Sequence, residues 1–414
     1  MLLHFISSLS TQTMKIIIPV LLLCCIAGIY TFHYIKSHIG LRLSRFIYIA
    51  ASITTIVYAL IYLWGENYDA FAIFKAVAMV VIFYSSITLP IAITGAAEDI
   101  YRLYKRHILH RPIPSRKRGI FVIGIVLSAI GCSILLLSIL HTKTHWKVHH
   151  VDIYSSRLPV SMDSMRVVQI SDLHLGSFDI HSRDSIRISK AMDIINSLHP
   201  DIILFTGDIV NGNSSEMKPW VEILSKTYAP YGKYAVMGNH DYATYEHYFS
   251  SLEKENSIKN IKEYYHSAGY KILDNENVAI GIGNDSIYIA GVENWGRGPF
   301  PALGDIDAAL DGIDNDKFTI LLSHDPSHYE DIVSSHPQMV DITLSGHTHA
   351  MQFGIEINDR WRWSPVKYVY KYWAGLYEEN GRMLYVNRGL GYHFFPARVG
   401  IRPEITLFTL HRKE

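Results

Sequence analysis

Hydrophobicity is spread so unevenly along this 414-residue chain that one compact domain cannot hold all of it. Four apolar runs, residues 16–35, 46–64, 71–96 and 120–140, crowd into the first third of the sequence. Each is close to the ~20 residues that a membrane-crossing helix requires. Too little polar surface accompanies them to cover four buried core helices in a water-soluble domain. The expectation is an α-helical membrane domain of about four transmembrane helices over residues 1–145, followed by a second domain over 146–414. Lys15 before the first run would suit a cleavable leader, but no small-residue cleavage site precedes Lys36, and Met14 is an alternative start to Met1.

Loop charges set the expected orientation, because Lys and Arg are retained on the cytoplasmic side. The first loop holds Lys36, Arg42 and Arg45, and the third holds Arg102, Lys105, Arg106, Arg111, Arg116, Lys117 and Arg118. The second loop, residues 65–70, carries only Glu66 and Asp69. Loops one and three are therefore inside. The chain reads as an integral protein of the cytoplasmic (inner) membrane, with its C-terminal domain on the outer or periplasmic face. Lys75, near the end of a run, is expected to snorkel to the interface.

The formal net charge is zero, so no global field draws the chain to nucleic acid, and no nucleic-acid partner is expected. All three cysteines, Cys24, Cys25 and Cys132, lie in the apolar runs. The second domain thus has neither disulfides nor thiolate metal ligands.

After residue 151 the pattern alternates. Strand-like segments are expected at 165–171, 201–206, 234–237, 278–282, 287–291, 318–322, 341–344, 383–386 and 404–410, the last closing the sheet. Helix-like segments are expected at 182–198, 218–226 and 260–267, with Gly269 as a C-terminal cap. Gly283-Asn284-Asp285 reads as a hairpin turn. Strands interleaved with helices, plus a hairpin, argue an α/β fold: a mixed β-sheet sandwich flanked by helices.

Five polar clusters follow apolar runs in this region: Asp172-Leu173-His174, Gly207-Asp208, Gly238-Asn239-His240-Asp241, His324, and Gly346-His347-Thr348-His349. Ligands gather beyond the carboxyl ends of strands in open α/β sheets, which is where these clusters fall. Oxygen and imidazole nitrogen donors converging there suit divalent cations. Asp172 and His174, two apart on a strand, would face the same way and share one ion. Asp208 follows a glycine that lets the chain turn sharply, leaving a carboxylate to bridge two cations. Asn239 offers a neutral oxygen, and His347 and His349 can be aimed at different ions by the loop after Gly346. Isolated histidines such as His181, His199 and His336 are read as ordinary surface or core residues.

The order and composition of these clusters resemble the calcineurin-like metallophosphoesterases, and most of all their membrane-associated branch of YkuE-type proteins and transmembrane proteins with a metallophosphoesterase domain. The segment Tyr385-Val386-Asn387-Arg388-Gly389-Leu390-Gly391 and Pro403-Glu404-Ile405 are also similar to that branch. The resemblance covers about residues 160–410. It implies two divalent metal ions, Mn, Fe, Zn or Co, one held by Asp172, His174, Asp208 and His349, the other by Asp208, Asn239, His324 and His347. It leaves His240 outside the ligands as general acid or oxyanion stabiliser, with Asp241 orienting or charging it. Many relatives carry Gly-Gly where this chain has Ala350-Met351, which puts the neighbouring pocket shape in question.

The implied function is a membrane-anchored, dinuclear-metal phosphoesterase that hydrolyses a phosphomonoester or phosphodiester, with a lipid-linked or cell-envelope substrate favoured by the tether. Two alternatives stand beside it: a pyrophosphatase acting on a nucleotide-linked lipid A precursor, and a non-catalytic binding or sensor protein built on the same fold. Two aromatic stretches flank the clusters. One is 242–249; the other contains Trp361, Trp363, Tyr368, Tyr370, Tyr372 and Trp373 among Arg360, Arg362, Lys367 and Lys371. Such a mixture suits lipid headgroups, while core packing is the plainer expectation.

Overall fold

A computed structural model describes residues 11–45, 49, 70–243, 250–297, 300–358 and 361–413. The chain divides into two compact units, Met1–Leu137 and Ser138–Glu414. The described part of the first unit is helical: Thr11–Ile39, Ala70–His107 and most of Arg118–Leu140. Met79–His107 and Arg118–Thr144 are long and apolar enough to cross a membrane by length and composition. The expected span at 46–64 lies almost wholly outside the described residues, as does the loop after it. The third run was expected to stop at residue 96, yet its helix continues to His107. Acidic and basic groups extend it: Tyr34 donates to Glu98 (2.7 Å), and Arg102 and Arg116 each pair with Asp99 at 3.0 Å.

In the second unit two six-stranded sheets face each other. One runs in the order β1 (Lys147–Ser155), β14 (Glu404–Arg412), β2 (Arg166–Ile170), β3 (Ile202–Phe205), β4 (Lys233–Ala235), β5 (Tyr270–Ile272). The other runs β12 (Gly375–Glu379), β13 (Arg382–Val386), β9 (Ile342–Ser345), β8 (Thr319–Leu322), β7 (Asp285–Gly291), β6 (Glu276–Ile282). A two-stranded hairpin, β10 (Ile355–Glu356) with β11 (Arg362–Trp363), stands apart.

The central strands are apolar on both faces because both faces are covered. Ile202 and Leu204 join the inter-sheet core with Ile287, Ile320 and Leu344. Ile203 and Phe205 point the other way, onto Ile188, Met192 and Tyr265 of the helices Asp184–Ser197 and Ser251–Ser267. Leu321 and Leu384 pack under the short helices Ile306–Leu310 and Ser327–Asp331. The result is the expected mixed α/β sandwich flanked by helices.

Three local readings are corrected. β14 does not close the sheet at an edge; it is inserted between β1, to which it is parallel, and β2, to which it is antiparallel. The helix expected at 260–267 begins at Ser251, with Ser250 and Glu253 forming a reciprocal capping box that the Ser-x-x-Glu spacing already carried. The segment 218–226 is a short 3-10 turn, Lys218–Trp220, followed by one α turn, Val221–Leu224. The hairpin at Gly283-Asn284 is as expected, with Ile282 paired to Asp285.

Candidate metal centre

Each of these donors lies two to four residues past a strand: β2 runs into Asp172, β3 into Asp208, β4 into Asn239, β8 into His324 and β9 into His347. The strand alternation invoked for Asp172 and His174 is not what aligns them. Both lie beyond β2 in left-handed backbone, with φ of 50° and 49°. Asp208, His347 and His349 share that conformation, at 60°, 71° and 48°. Non-glycine residues adopt it at a cost, and a cluster of them marks a site whose surroundings over-determine it. Gly346 lets this happen, because a Cβ there would strike Ser171 Oγ and the Asp172 carboxylate. Ala350 and Met351 are also left-handed, at φ 48° and 55°, a backbone that glycine would adopt without strain.

The donors converge as two groups. Asp172, His174 and His349 have ligand atoms within 4.8 Å of one another, and so do Asp208, His324 and His347. His174 Nε2 and His349 Nε2 face each other at 3.0 Å, with Asp172 Oδ1 3.3 Å from His349 Nε2. Asn239 Oδ1 completes the second group, 2.8 Å from His347 Nδ1. The adjacent histidines 347 and 349 are thus directed to different groups. Asp208 lies between them: its Oδ2 is 3.0 Å from His324 Nε2 and 3.8 Å from His174 Nε2.

This donor set fits divalent cations. His324 Nδ1 donates to the Thr206 carbonyl at 2.7 Å, which turns the Nε2 lone pair inward, the arrangement that metal-binding histidines adopt. Burial alone would lower the basicity of His324, but Asp208 raises its pKa to about 10. Burial likewise opposes ionisation of Asp208, and the histidines around it hold its carboxyl well below the usual range. Buried carboxylates this crowded by imidazoles call for positive charge at their centre.

Asp241 is occupied by the backbone around it. Its carboxylate accepts four backbone N–H groups, from Asp208 (2.9 Å), Ile209 (2.9 Å), Val210 (3.2 Å) and Gly238 (3.0 Å). Burial and nearby Asp208 push its carboxyl up to about 7, while those amides favour the ionised form. His240 is oriented by the Asn211 carbonyl, 2.6 Å from Nδ1. Asp241→Ala would strand these donors in a buried site, at about 1–3 kcal/mol for each one left unsatisfied. The expected result is a thermal midpoint lowered by several degrees, with bound metal falling alongside it. An unchanged melting curve with lost turnover would instead return Asp241 to a catalytic role.

Four further residues reach the centre without having been read as part of it. His393 stacks on His174 (ring centroids 4.6 Å apart) and meets His240 edge-on at 4.4 Å. Arg398, fully buried, places Nη2 3.2 Å from His349 Nδ1, and burial lowers its pKa to about 9. Tyr370 Oη lies 2.8 Å from His347 Nε2, and Asp325 Oδ2 3.6 Å from the same nitrogen. Asp325, next to His324, was the most accessible of these to sequence reading.

Residues 165–351 match the family described as calcineurin-like phosphoesterase. The metallophosphoesterase YkuE of Bacillus subtilis is 30% identical over 62% of this chain and 83% of its own length. A transmembrane protein with metallophosphoesterase domain from Bos taurus is 30% identical over 63% of this chain and 56% of its own, and one from Danio rerio is 29% identical over 64% and 57%. This chain therefore spans little more than half the length of those two vertebrate relatives. Among solved structures, the NAD nucleotidase NadN of Haemophilus influenzae overlaps 55% of this chain and 45% of that one, at 14% identity and a TM-score of 0.35.

Proposed function

The chain belongs to the calcineurin-like metallophosphoesterase family, and from that premise we propose that it is a membrane-anchored phosphoesterase that uses two divalent metal ions to hydrolyse a phosphomonoester or phosphodiester. One observation carries the reading: a single carboxylate oxygen of Asp208 lies within reach of both His/Asp groups. We assign one cation to Asp172, His174, Asp208 and His349, and the other to Asp208, Asn239, His324 and His347. Cations so held would supply Lewis-acid activation of water and charge neutralisation of the phosphoryl oxygens.

The chain's own residues do the rest. Asp208 and Asp172 give the negative charge that keeps two cations together, and the Asp241 carboxylate pins the 207–210 turn that aims Asp208. His240 is the proton donor to the leaving oxygen. Its Nδ1 proton is committed to Asn211, so donation proceeds from Nε2 of the imidazolium. Tyr370 and Asp325 fix the ring of His347 from behind, as outer partners of ligating histidines do.

The test is hydrolysis of bis(p-nitrophenyl) phosphate by the full-length protein in detergent, after chelation and after adding back Mn, Fe, Zn or Co singly. Loss and metal-specific recovery are expected. Chelator-resistant turnover overturns the metal assignment, and inertness with two metals bound favours the sensor reading.

The apolar helices and the transmembrane relatives support membrane anchoring, and the loop charges support a phosphoesterase unit outside the cytoplasmic membrane. Alkaline phosphatase fused after Glu414 should then be active, and green fluorescent protein at the same site dark. The reverse pattern would place the unit in the cytoplasm and make a nucleotide-linked lipid precursor the better substrate.

A further inference from the structure

Exposure alternates along residues 351–357, which lead from a left-handed turn into the short strand β10, with the apolar side chains outward. Met351, Phe353, Ile355 and Ile357 are exposed, while Gln352, Gly354 and Glu356 face the protein. The polar side chains are occupied there. Gln352 donates to the Phe395 and Ala397 carbonyls at 2.9 and 3.1 Å, and Glu356 pairs with Arg388 at 2.9 Å and Lys147 at 3.0 Å. Isolated exposed apolar residues are ordinary on any protein. Four of them in one short segment, opposite polar and glycine positions that face inward, make a contiguous apolar surface, the kind that marks an interaction site. Trp361, Tyr368 and Val369 extend it, Tyr368 being 74% exposed, and Lys367 lies over the Tyr368 ring. Aromatic rings beside a cation suit the headgroup layer of an anionic bilayer.

The position of this surface on its own unit names the occupant. Thr142, two residues past the apolar helix Arg118–Leu140, donates to the Arg398 carbonyl at 2.5 Å. Next to it, Val399 bridges to Phe353, with Gly354 N to Val399 O at 2.9 Å. Lys147, a few residues on, holds Glu356 of the hairpin. The point where the chain leaves the apolar helix Arg118–Leu140 is therefore the root of this segment.

The same segment is fastened to the metal centre. Ser364 Oγ donates to Ala350 O and Thr348 Oγ1 to Trp373 O, both at 2.7 Å, and Tyr370 reaches His347. We propose that residues 351–358 and 361–369 seat in the surface of the bilayer that holds the chain's own helices, and that the phosphate ester presented beside His347 and Tyr370 carries acyl chains in that bilayer. The second half rests on the phosphoesterase reading; the first does not.

Two measurements on the full-length protein in nanodiscs of phosphatidylethanolamine and phosphatidylglycerol separate the halves. The photo-crosslinker p-benzoylphenylalanine is placed at position 361 or 368, and at the exposed Val160, past the end of β1 opposite Lys147, as control. Phospholipid adducts at 361 and 368 well above those at 160 are expected; equal yields overturn the docking. In the second measurement, Phe353→Glu with Ile357→Glu should lower kcat/KM by about tenfold or more for a p-nitrophenyl phosphodiester of diacylglycerol, since the apolar contact is lost, and leave bis(p-nitrophenyl) phosphate unaffected. Equal effects on the two substrates overturn the acyl-chain assignment. If wild type hydrolyses neither with metal bound, the phosphoesterase reading fails, and the crosslinks alone decide the docking.

Discussion

Asp208→Asn is expected to abolish turnover, a fall of at least about 10³-fold, and to leave fewer than two metal ions per chain, because a neutral amide cannot supply the charge that two adjacent cations share. The substitution keeps the shape of the side chain, so the effect reads charge and donor chemistry. Oδ1 accepts the His240 backbone N–H at 2.9 Å, while Oδ2 is turned toward both histidine groups. An amide must set its NH2 against one of these, a donor facing a donor or a cation. Elemental analysis beside kinetics is the measurement, with a melting curve to show that the fold survives. Two metals per chain with wild-type turnover would remove Asp208 from the bridging position.

His240→Ala separates chemistry from coordination. Metal content should stay near normal while kcat falls by roughly 10²- to 10⁴-fold, the range for a lost general acid. Esters with alkoxide leaving groups should suffer most, and p-nitrophenyl esters least, since p-nitrophenolate departs without a proton. The competing possibility is structural: His174, His240 and His393 also have ring nitrogens within 4.8 Å of one another. Metal lost in proportion to activity would therefore make His240 a ligand.

The donors of this centre were legible because each obeys a local rule. An apolar run makes a buried strand, a glycine permits the turn, and an Asp, Asn or His follows at the strand end. Asp172, Asp208, Asn239, His324, His347 and His349 could all be read this way, and the structure brings them together. Asp241 passed the same test, yet its carboxylate serves the amides of residues 208–210 and 238, a connection across 33 positions to Asp208 that no spacing reveals. His393 and Arg398 follow no strand and sit in a loop that returns to the site from the far end of the chain. The capping box at Ser250 was written in the sequence, whereas the insertion of β14 between β1 and β2 was not, because strand order depends on long-range pairing.

The aromatic segment divides along the same line. Composition showed rings and cations together, and burial then sorted them: Tyr372 and Trp373 turn into the protein, Trp361 and Tyr368 out of it. By itself the sequence determined the α/β class, the apolar helices, and the kinds of metal donor with their order along the chain, since these follow from residue type and short-range periodicity. Only the tertiary structure decided which donors face one another, which carboxylate lies between the two groups, and which side chains of the 351–357 segment are exposed. Those are distances between residues far apart in the chain, and side-chain chemistry alone does not encode them.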